Sequence, residues 1–171
     1  MGKESRTVTV DGRPVALAGK EVKVGDKAPD FIGVDNDMAE VHWSKFKGRP
    51  CIIASVMSLE TSVCDKETRT FNERVTALGE DVTVLTISMD LPFTQKRWCG
   101  AAGVKNVTTL SDHRDASFGR NYGVLIEKLR LLARAVFVVD ANGVVRYREI
   151  VDEVSGEPDY ETALEAVRRF S

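Results

Sequence analysis

The chain has 171 residues, of which 43% are hydrophobic and 29% are charged, and it carries a net charge of −2. These proportions exclude an intrinsically disordered chain, and the near-neutral charge argues against a protein that binds nucleic acid by neutralising phosphates. The longest stretch without a charged residue, Pro50 to Leu59, is about half of the roughly 20 residues that a membrane-spanning helix needs, so no membrane segment is expected.

We expect one domain over residues 1–171 that begins with a β-hairpin over residues 7–17. Thr7 to Val10 alternates polar and apolar residues, Asp11-Gly12 supplies the turn, and Pro14 to Leu17 returns. The residues before the hairpin are polar and have no apolar run behind them, so no secretory signal is expected. Together with the odd number of three cysteines, this favours a reducing compartment.

The next elements form a strand–helix–strand unit. Cys51 to Val56 and Val82 to Ser88 are short apolar runs, typical of parallel strands that are buried on both faces. Between them, Cys64 to Gly79 has apolar side chains at intervals of three and four residues, which predicts an amphipathic helix that stops at Gly79. The crossover is expected to be right-handed.

The rest of the chain predicts a helix, a short strand, a strand–turn–strand hairpin and a final helix. In order, these are Pro92 to Ala102, Val107 to Leu110, Ala133 to Asp140 with Val144 to Ile150 across the turn at Asn142-Gly143, and Asp159 to Phe170. A parallel crossover followed by an antiparallel hairpin and a helix is the thioredoxin-like α/β arrangement, here with an insertion.

Cys64 directly follows the first buried strand and stands at the start of the predicted helix. Ser62 and Asp65 match a capping box, which places Cys64 in the first turn. Free backbone N–H groups and the helix dipole favour the thiolate there, and the thiolate is the nucleophilic form of cysteine. Because Cys64 also lies on the apolar face of its helix, a purely structural core residue is an equally good interpretation.

Thr61 and Arg134 each have a functional and a structural interpretation. Thr61 either presents its hydroxyl at the same helix end as the thiol or is an ordinary N-cap. Arg134 opens the apolar stretch 133–139, where a buried guanidinium needs an anionic partner such as a thiolate. Alternatively, Arg134 lies at the end of the strand and reaches solvent. Taken alone, each residue favours its structural interpretation.

The other cysteines and the histidines carry weaker signals. Cys99 lies in the second predicted helix and is either a half-buried helical residue or a thiol that pairs with Cys64. Cys51 lies in an apolar strand and is assigned to the core. His42 and His113 are isolated and are expected on the surface or in loops. The short ligand pairs that usually build a zinc site are absent, so no metal site is predicted.

Together, these segments resemble the thiol peroxidase branch of the peroxiredoxins, which are atypical two-cysteine peroxidases. The resemblance covers nearly the whole chain from Thr7 onward. It rests on Thr61-Ser62-Val63-Cys64-Asp65 with Phe71-Asn72-Glu73, on Asp90-Leu91-Pro92-Phe93 with Gln95 and Arg97-Trp98-Cys99-Gly100, on Leu131 to Val138, and on Glu157-Pro158-Asp159-Tyr160. It implies a thioredoxin-like fold with an N-terminal β-hairpin extension and the peroxiredoxin-type insertion.

The resemblance also implies a role for four residues. Cys64 becomes the peroxidatic cysteine, Thr61 the hydroxyl that orients the peroxide, Arg134 the cation that activates the thiolate, and Cys99 the resolving cysteine of an intramolecular disulfide. The implied substrates are hydrogen peroxide and organic hydroperoxides, and the implied reductant is a thioredoxin-type dithiol. The resemblance further implies a homodimer in the cytoplasm that needs no metal or organic cofactor.

The chain departs from the family pattern in the loop before Cys64. Met57 and Ser62 stand where the family usually has proline, and Glu60 stands where it usually has aspartate. Because two stiff residues are missing, we expect a looser loop. The departures also support an alternative function, a thioredoxin-fold redox sensor or binding module that kept its cysteines but lost efficient turnover.

Overall fold

The computed structural model describes residues 6–79 and 81–170. The expectation of no secretory signal depends on residues 1–5 and lies outside the described residues. The strands are β1 (Thr7–Val10), β2 (Arg13–Ala16), β3 (Ile32–Val34), β4 (Glu40–His42), β5 (Cys51–Ser55), β6 (Thr83–Ser88), β7 (Thr108–Ser111), β8 (Leu125–Ile126), β9 (Leu131–Leu132), β10 (Ala135–Val139) and β11 (Val145–Ile150). The α-helices are α1 (Ser62–Val75), α2 (Pro92–Ala102), α3 (Ser117–Tyr122) and α4 (Tyr160–Arg169).

A seven-stranded mixed sheet with the order β11-β10-β5-β6-β7-β3-β4 lies at the centre. Strands β5, β6 and β7 are parallel to one another, and the other neighbouring strands are antiparallel. The parallel pairing of β5 with β6 agrees with the prediction from their apolar runs. Strand β10 pairs with β5 so that Ala135 lies opposite Ser55. This register brings the start of β10 to the end of β5, where the chain turns into α1.

The sheet separates two apolar cores because successive side chains of a strand point to opposite faces. Ile52 and Ala54 of β5 point to the face covered by α1, α2 and α4. Cys51 and Ile53 point to the other face, which is covered by α3 and the hairpin of β1 and β2. The two cores are therefore built from alternate residues of the same central strands.

The thioredoxin-like arrangement predicted from the sequence is confirmed, and several boundaries move. The first helix begins earlier than predicted, at Ser62, and its α-helical part ends at Val75, followed by a 3₁₀ turn over Thr76–Leu78. Strand β10 begins at Ala135, not at Ala133, so Arg134 stands just before the strand. Within the described residues, no helix is long and apolar enough to cross a membrane.

Five short elements were not predicted, namely β3, β4, α3, β8 and β9. They have three, three, six, two and two residues, which is too short for a hydrophobic period to develop. Three of them lie between β7 and β10 and form an inserted helix and a two-stranded sheet. Their positions follow from tertiary packing. For example, the rings of Phe118 and Tyr122 in α3 stack with their centroids 4.5 Å apart.

Phe137 is the residue we expect to be most sensitive to truncation in this core. Its ring is fully buried and meets Tyr122 edge to face at 5.2 Å. Phe137→Ala is expected to lower the free energy of unfolding by about 3–5 kcal/mol because it leaves a cavity between two packed layers. Phe93→Ala removes the same atoms from a side chain that is 67% exposed, and it should change stability by less than about 0.5 kcal/mol. Urea denaturation checks both, and equal effects would contradict the assignment of the core.

Candidate active site

Cys64 lies in the first turn of α1 and is fully buried. The N-cap position belongs to Thr61, whose extended backbone (φ −86°, ψ 146°) ends the loop from β5. The predicted capping box of Ser62 and Asp65 is wrong. The carboxylate of Asp65 accepts hydrogen bonds from Trp98 Nε1 at 2.8 Å and Arg69 Nε at 2.9 Å, so its two oxygens bind other side chains.

Thr61 occupies the N-cap position without capping the helix through its side chain. Its hydroxyl donates to the carbonyl of Ser58 at 2.9 Å, inside the loop. With the hydroxyl hydrogen used in this way, the lone pairs of Thr61 Oγ1 are left to accept a hydrogen bond. The side chain is exposed at the mouth of the same helix end that holds the thiol.

Arg134 lies beside Cys64, and its guanidinium Nη2 is 3.1 Å from Cys64 Sγ. The interpretation of Arg134 as a strand-end residue that reaches solvent is wrong, because the residue is only 1% exposed. Alternation explains the placement. Val136 points to the face covered by α1, so Arg134, two residues earlier, reaches the same face. Burial alone would lower the pKa of Arg134, but Glu67 and Cys64 beside it raise it, so the guanidinium stays charged.

A carbonyl oxygen from the loop between β11 and α4 holds the guanidinium in place. The oxygen of Val154 accepts from Arg134 Nε at 2.9 Å and from Nη2 at 2.7 Å. Val154 is itself fixed by the N-terminal hairpin, since its N–H donates to Thr9 O at 3.0 Å and Thr9 N–H donates to Asp152 O at 2.7 Å. The position of the guanidinium therefore depends on the N-terminal hairpin and on the loop after β11.

Glu67 completes this buried group and was not singled out by the sequence analysis. Its Oε2 accepts from Arg134 Nη1 at 2.6 Å, and the side chain is fully buried. Burial raises the pKa of Glu67 to about 7, although the guanidinium acts in the opposite direction. The available signal was a charged residue three positions after Cys64, on the same face of an amphipathic helix.

The loop before Cys64 is held by a carboxylate. Asp90, just after β6, accepts from Ser58 Oγ at 2.7 Å and from Leu59 N at 2.8 Å. Ser88 Oγ donates to the same carboxylate at 2.8 Å. The looseness expected from Met57 is thus opposed by hydrogen bonds that tie the loop to the end of a central strand.

Cys99 lies on α2 and is only partly buried. Its Sγ is 3.4 Å from Thr109 Oγ1 on β7. Strands β7 and β10 are three positions apart in the sheet, which corresponds to roughly 14 Å at the usual strand spacing. The structure therefore brings Cys64 and Arg134 together and places the thiol of Cys99 against a different strand.

The remaining cysteine and the histidines lie away from this group. Cys51 is a free thiol on the opposite face of the sheet, where burial raises its pKa. His42 and His113 are exposed. In the part of the chain that the structure describes, no three His, Cys, Asp or Glu side chains are grouped so that they could hold a metal ion. The candidate site consists of amino-acid side chains and one backbone carbonyl.

Comparisons with known proteins match this arrangement. The profile of the Redoxin family matches residues 23–164. A thiol peroxidase from Oceanobacillus iheyensis is 56% identical over 92% of this chain and 95% of its own, and one from Bacillus subtilis is 54% identical over 94% and 96%. The crystal structure of a peroxiredoxin-like protein from Aquifex aeolicus superposes with a TM-score of 0.89 at 41% identity, covering 99% of this chain and 100% of its own. The chain therefore belongs to the Redoxin family and, within it, to the thiol peroxidase branch of the peroxiredoxins.

Proposed function

We propose that this protein reduces hydroperoxides with the thiolate of Cys64, which Arg134 activates. The observation that carries the proposal is the 3.1 Å contact between Arg134 Nη2 and Cys64 Sγ, made where neither side chain is appreciably exposed. A buried cation at this distance stabilises the thiolate over the thiol. The thiol peroxidases that this chain resembles over nearly its whole length support the same activity and do not favour a redox sensor or binding module.

In the first step, the sulfur of Cys64 attacks the distal oxygen of the peroxide. A sulfur–oxygen bond forms as the oxygen–oxygen bond breaks, which leaves a sulfenic acid on Cys64 and releases an alkoxide or hydroxide that takes up a proton. The free lone pairs of Thr61 Oγ1 are suited to accept the hydroperoxide O–H and orient it. Arg134 stabilises the negative charge that develops on the leaving oxygen.

In the second step, the thiol of Cys99 condenses with the sulfenic acid to form a disulfide and water. A disulfide requires Cα atoms about 4.4–6.8 Å apart, whereas the two thiols lie against strands roughly 14 Å apart. Two contacts of α2 hold the reduced arrangement, namely the hydrogen bond from Trp98 to Asp65 of α1 and the ion pair of Arg97 with Glu60 in the loop before α1. The first turn of α1, the turn around Cys99, or both must therefore unwind after oxidation.

A dithiol then returns the disulfide to two thiols. The peroxidase relatives imply a thiol reductant, and we propose a thioredoxin-type protein, which exchanges disulfides through an exposed thiolate. We also propose a cytoplasmic homodimer that uses hydrogen peroxide and organic hydroperoxides.

Cys64→Ser is expected to abolish peroxide consumption because serine cannot supply a thiolate, while the fold is kept. Cys51→Ser is the matched control, since Cys51 lies on the other face of the sheet. Activity is measured as peroxide consumed by the reduced protein with a thioredoxin system. If Cys64→Ser kept most of the activity and Cys51→Ser lost it, the proposed nucleophile would be wrong.

Arg134→Lys is expected to lower kcat/KM for peroxide on the order of 100-fold, because an ammonium keeps the charge but loses the fork that holds Cys64, Glu67 and Val154 at once. Arg148→Lys, at an ion pair with Glu21, is the control and should keep full activity.

A second variant separates charge from geometry. In Arg134→Met, the pH at which half of Cys64 is thiolate should rise, as followed by the absorbance of the thiolate. An unchanged midpoint in this variant would place Arg134 outside the site.

Disulfide formation should release two segments. Amides of residues 63–66 and 96–101 are expected to lose protection against hydrogen exchange in the disulfide form, while the strand around Val136 keeps it. The measurement compares reduced and oxidised protein by mass spectrometry. Equal protection in both forms, together with a demonstrated bond between Cys64 and Cys99, would mean that no unwinding is needed.

A further inference from the structure

Two groups that can lose a proton share a single buried cation. Cys64 and Glu67 are three residues apart on one face of α1, and the guanidinium of Arg134 contacts both, at 3.1 Å and 2.6 Å. Both acidic side chains are fully buried. One guanidinium balances one negative charge, so ionising both groups would leave an uncompensated charge in the interior, which is costly.

An oxygen without a partner marks Glu67 as the group that keeps a proton. Glu67 Oε2 binds Arg134, but Oε1 is buried and has no hydrogen-bond partner in the structure. A buried oxygen without a hydrogen-bond donor costs much free energy on a carboxylate, because both oxygens of the ionised form carry charge. It costs less on a neutral carboxylic acid, in which one oxygen carries the proton.

The other charged groups around Glu67 act in the same direction. Glu149 of β11 and Glu157 of the loop before α4 raise its pKa by repulsion, and Tyr160 of α4 faces the same carboxyl group. Arg134 is the one cation among the groups that act on Glu67 in the described residues. The surroundings therefore favour a neutral Glu67 whenever a second negative charge forms beside Arg134.

We propose that Cys64 and Glu67 share one proton across Arg134, so that the reactive thiolate exists together with a neutral Glu67 carboxylic acid. The states with thiolate and carboxylic acid, or with thiol and carboxylate, contain the same number of protons and the same charge. Glu67 is thus a positioning residue that controls how much thiolate is present, and it does not touch the peroxide. This inference rests on the proposed role of Cys64 and goes beyond it.

The test is the formation of thiolate in the reduced protein, without turnover. Cys99→Ser serves as the background, and Cys51 remains a thiol because burial raises its pKa. In this background, Glu67→Gln keeps an oxygen for Arg134 but removes the competing charge. The midpoint of thiolate absorbance should fall by at least about 0.5 pH unit, equivalent to about threefold more thiolate at a fixed pH below the midpoint.

Two outcomes of this titration would overturn the inference. An unchanged midpoint in Glu67→Gln would mean that the two groups titrate independently, and a raised midpoint would mean that the carboxylate supports the thiolate by holding Arg134. Glu157→Gln is the charge control, because it removes a carboxylate that is exposed and bound to Lys66. It should move the midpoint much less than Glu67→Gln does.

The reciprocal measurement does not depend on the Glu67 variant. Coupling between two sites is mutual, so Cys64→Ser must affect the ionisation of Glu67 as Glu67→Gln affects that of Cys64. Carboxyl ¹³C shifts should show Glu67 ionising in one step in Cys64→Ser, at lower pH than in the Cys99→Ser background. An identical Glu67 titration in both proteins would refute the shared proton. Neither titration uses peroxide, so the shared proton can be refuted while Cys64 remains the peroxidatic residue. A loss of peroxidase activity in Cys64→Ser, in turn, does not bear on the shared proton.

Discussion

The buried guanidinium of Arg134 is the interaction on which the site depends. It contacts a thiol and a carboxyl group on α1 and a carbonyl at Val154, so α1 and the segment after β11 must both be in place around it. Removing one partner from such a buried pair typically costs about 3–5 kcal/mol. The antiparallel pairing of β10 with β5 supplies the frame, because it sets the start of one strand beside the turn that leads into α1.

The contacts around α1, α2 and the loop before Cys64 order these segments but can be broken without unfolding the core. Asp90 fixes the loop before the thiol, and Asp65 joins the first turn of α1 to Trp98, the neighbour of Cys99. The hydrogen bonds of Asp90 and Asp65 lie at partly buried or exposed positions, unlike the fully buried bonds of Arg134. Segments held in this way open at lower free energy than the core strands. The arrangement gives the nucleophile a defined environment while leaving the turns around both cysteines able to unwind.

Local patterns predicted the elements, and distant pairings decided the site. The place of Cys64 after a buried strand follows from periodicity, whereas its contact with Arg134 depends on a strand pairing about 80 residues away, which no local pattern contains. The capping box failed because Trp98 and Arg69 compete for Asp65. Glu67 carried a visible signal, a charge on an apolar helix face, but its burial makes sense only once Arg134 is known to face it. The family resemblance indicated that Cys64 and Arg134 act together, but it gave no such indication for Glu67.

The dependence of the guanidinium on Val154 has a consequence for how the protein is made. Val154 N–H donates to Thr9 O, so β1 forms this contact with a segment that is synthesised about 145 residues later. Val154 follows Cys64 by 90 residues, which takes roughly 5–20 s to translate. During that interval the nascent chain carries its cysteine without the finished cation site beside it. A growing polypeptide on the ribosome therefore lacks the complete cation site beside Cys64 until Val154 has been synthesised.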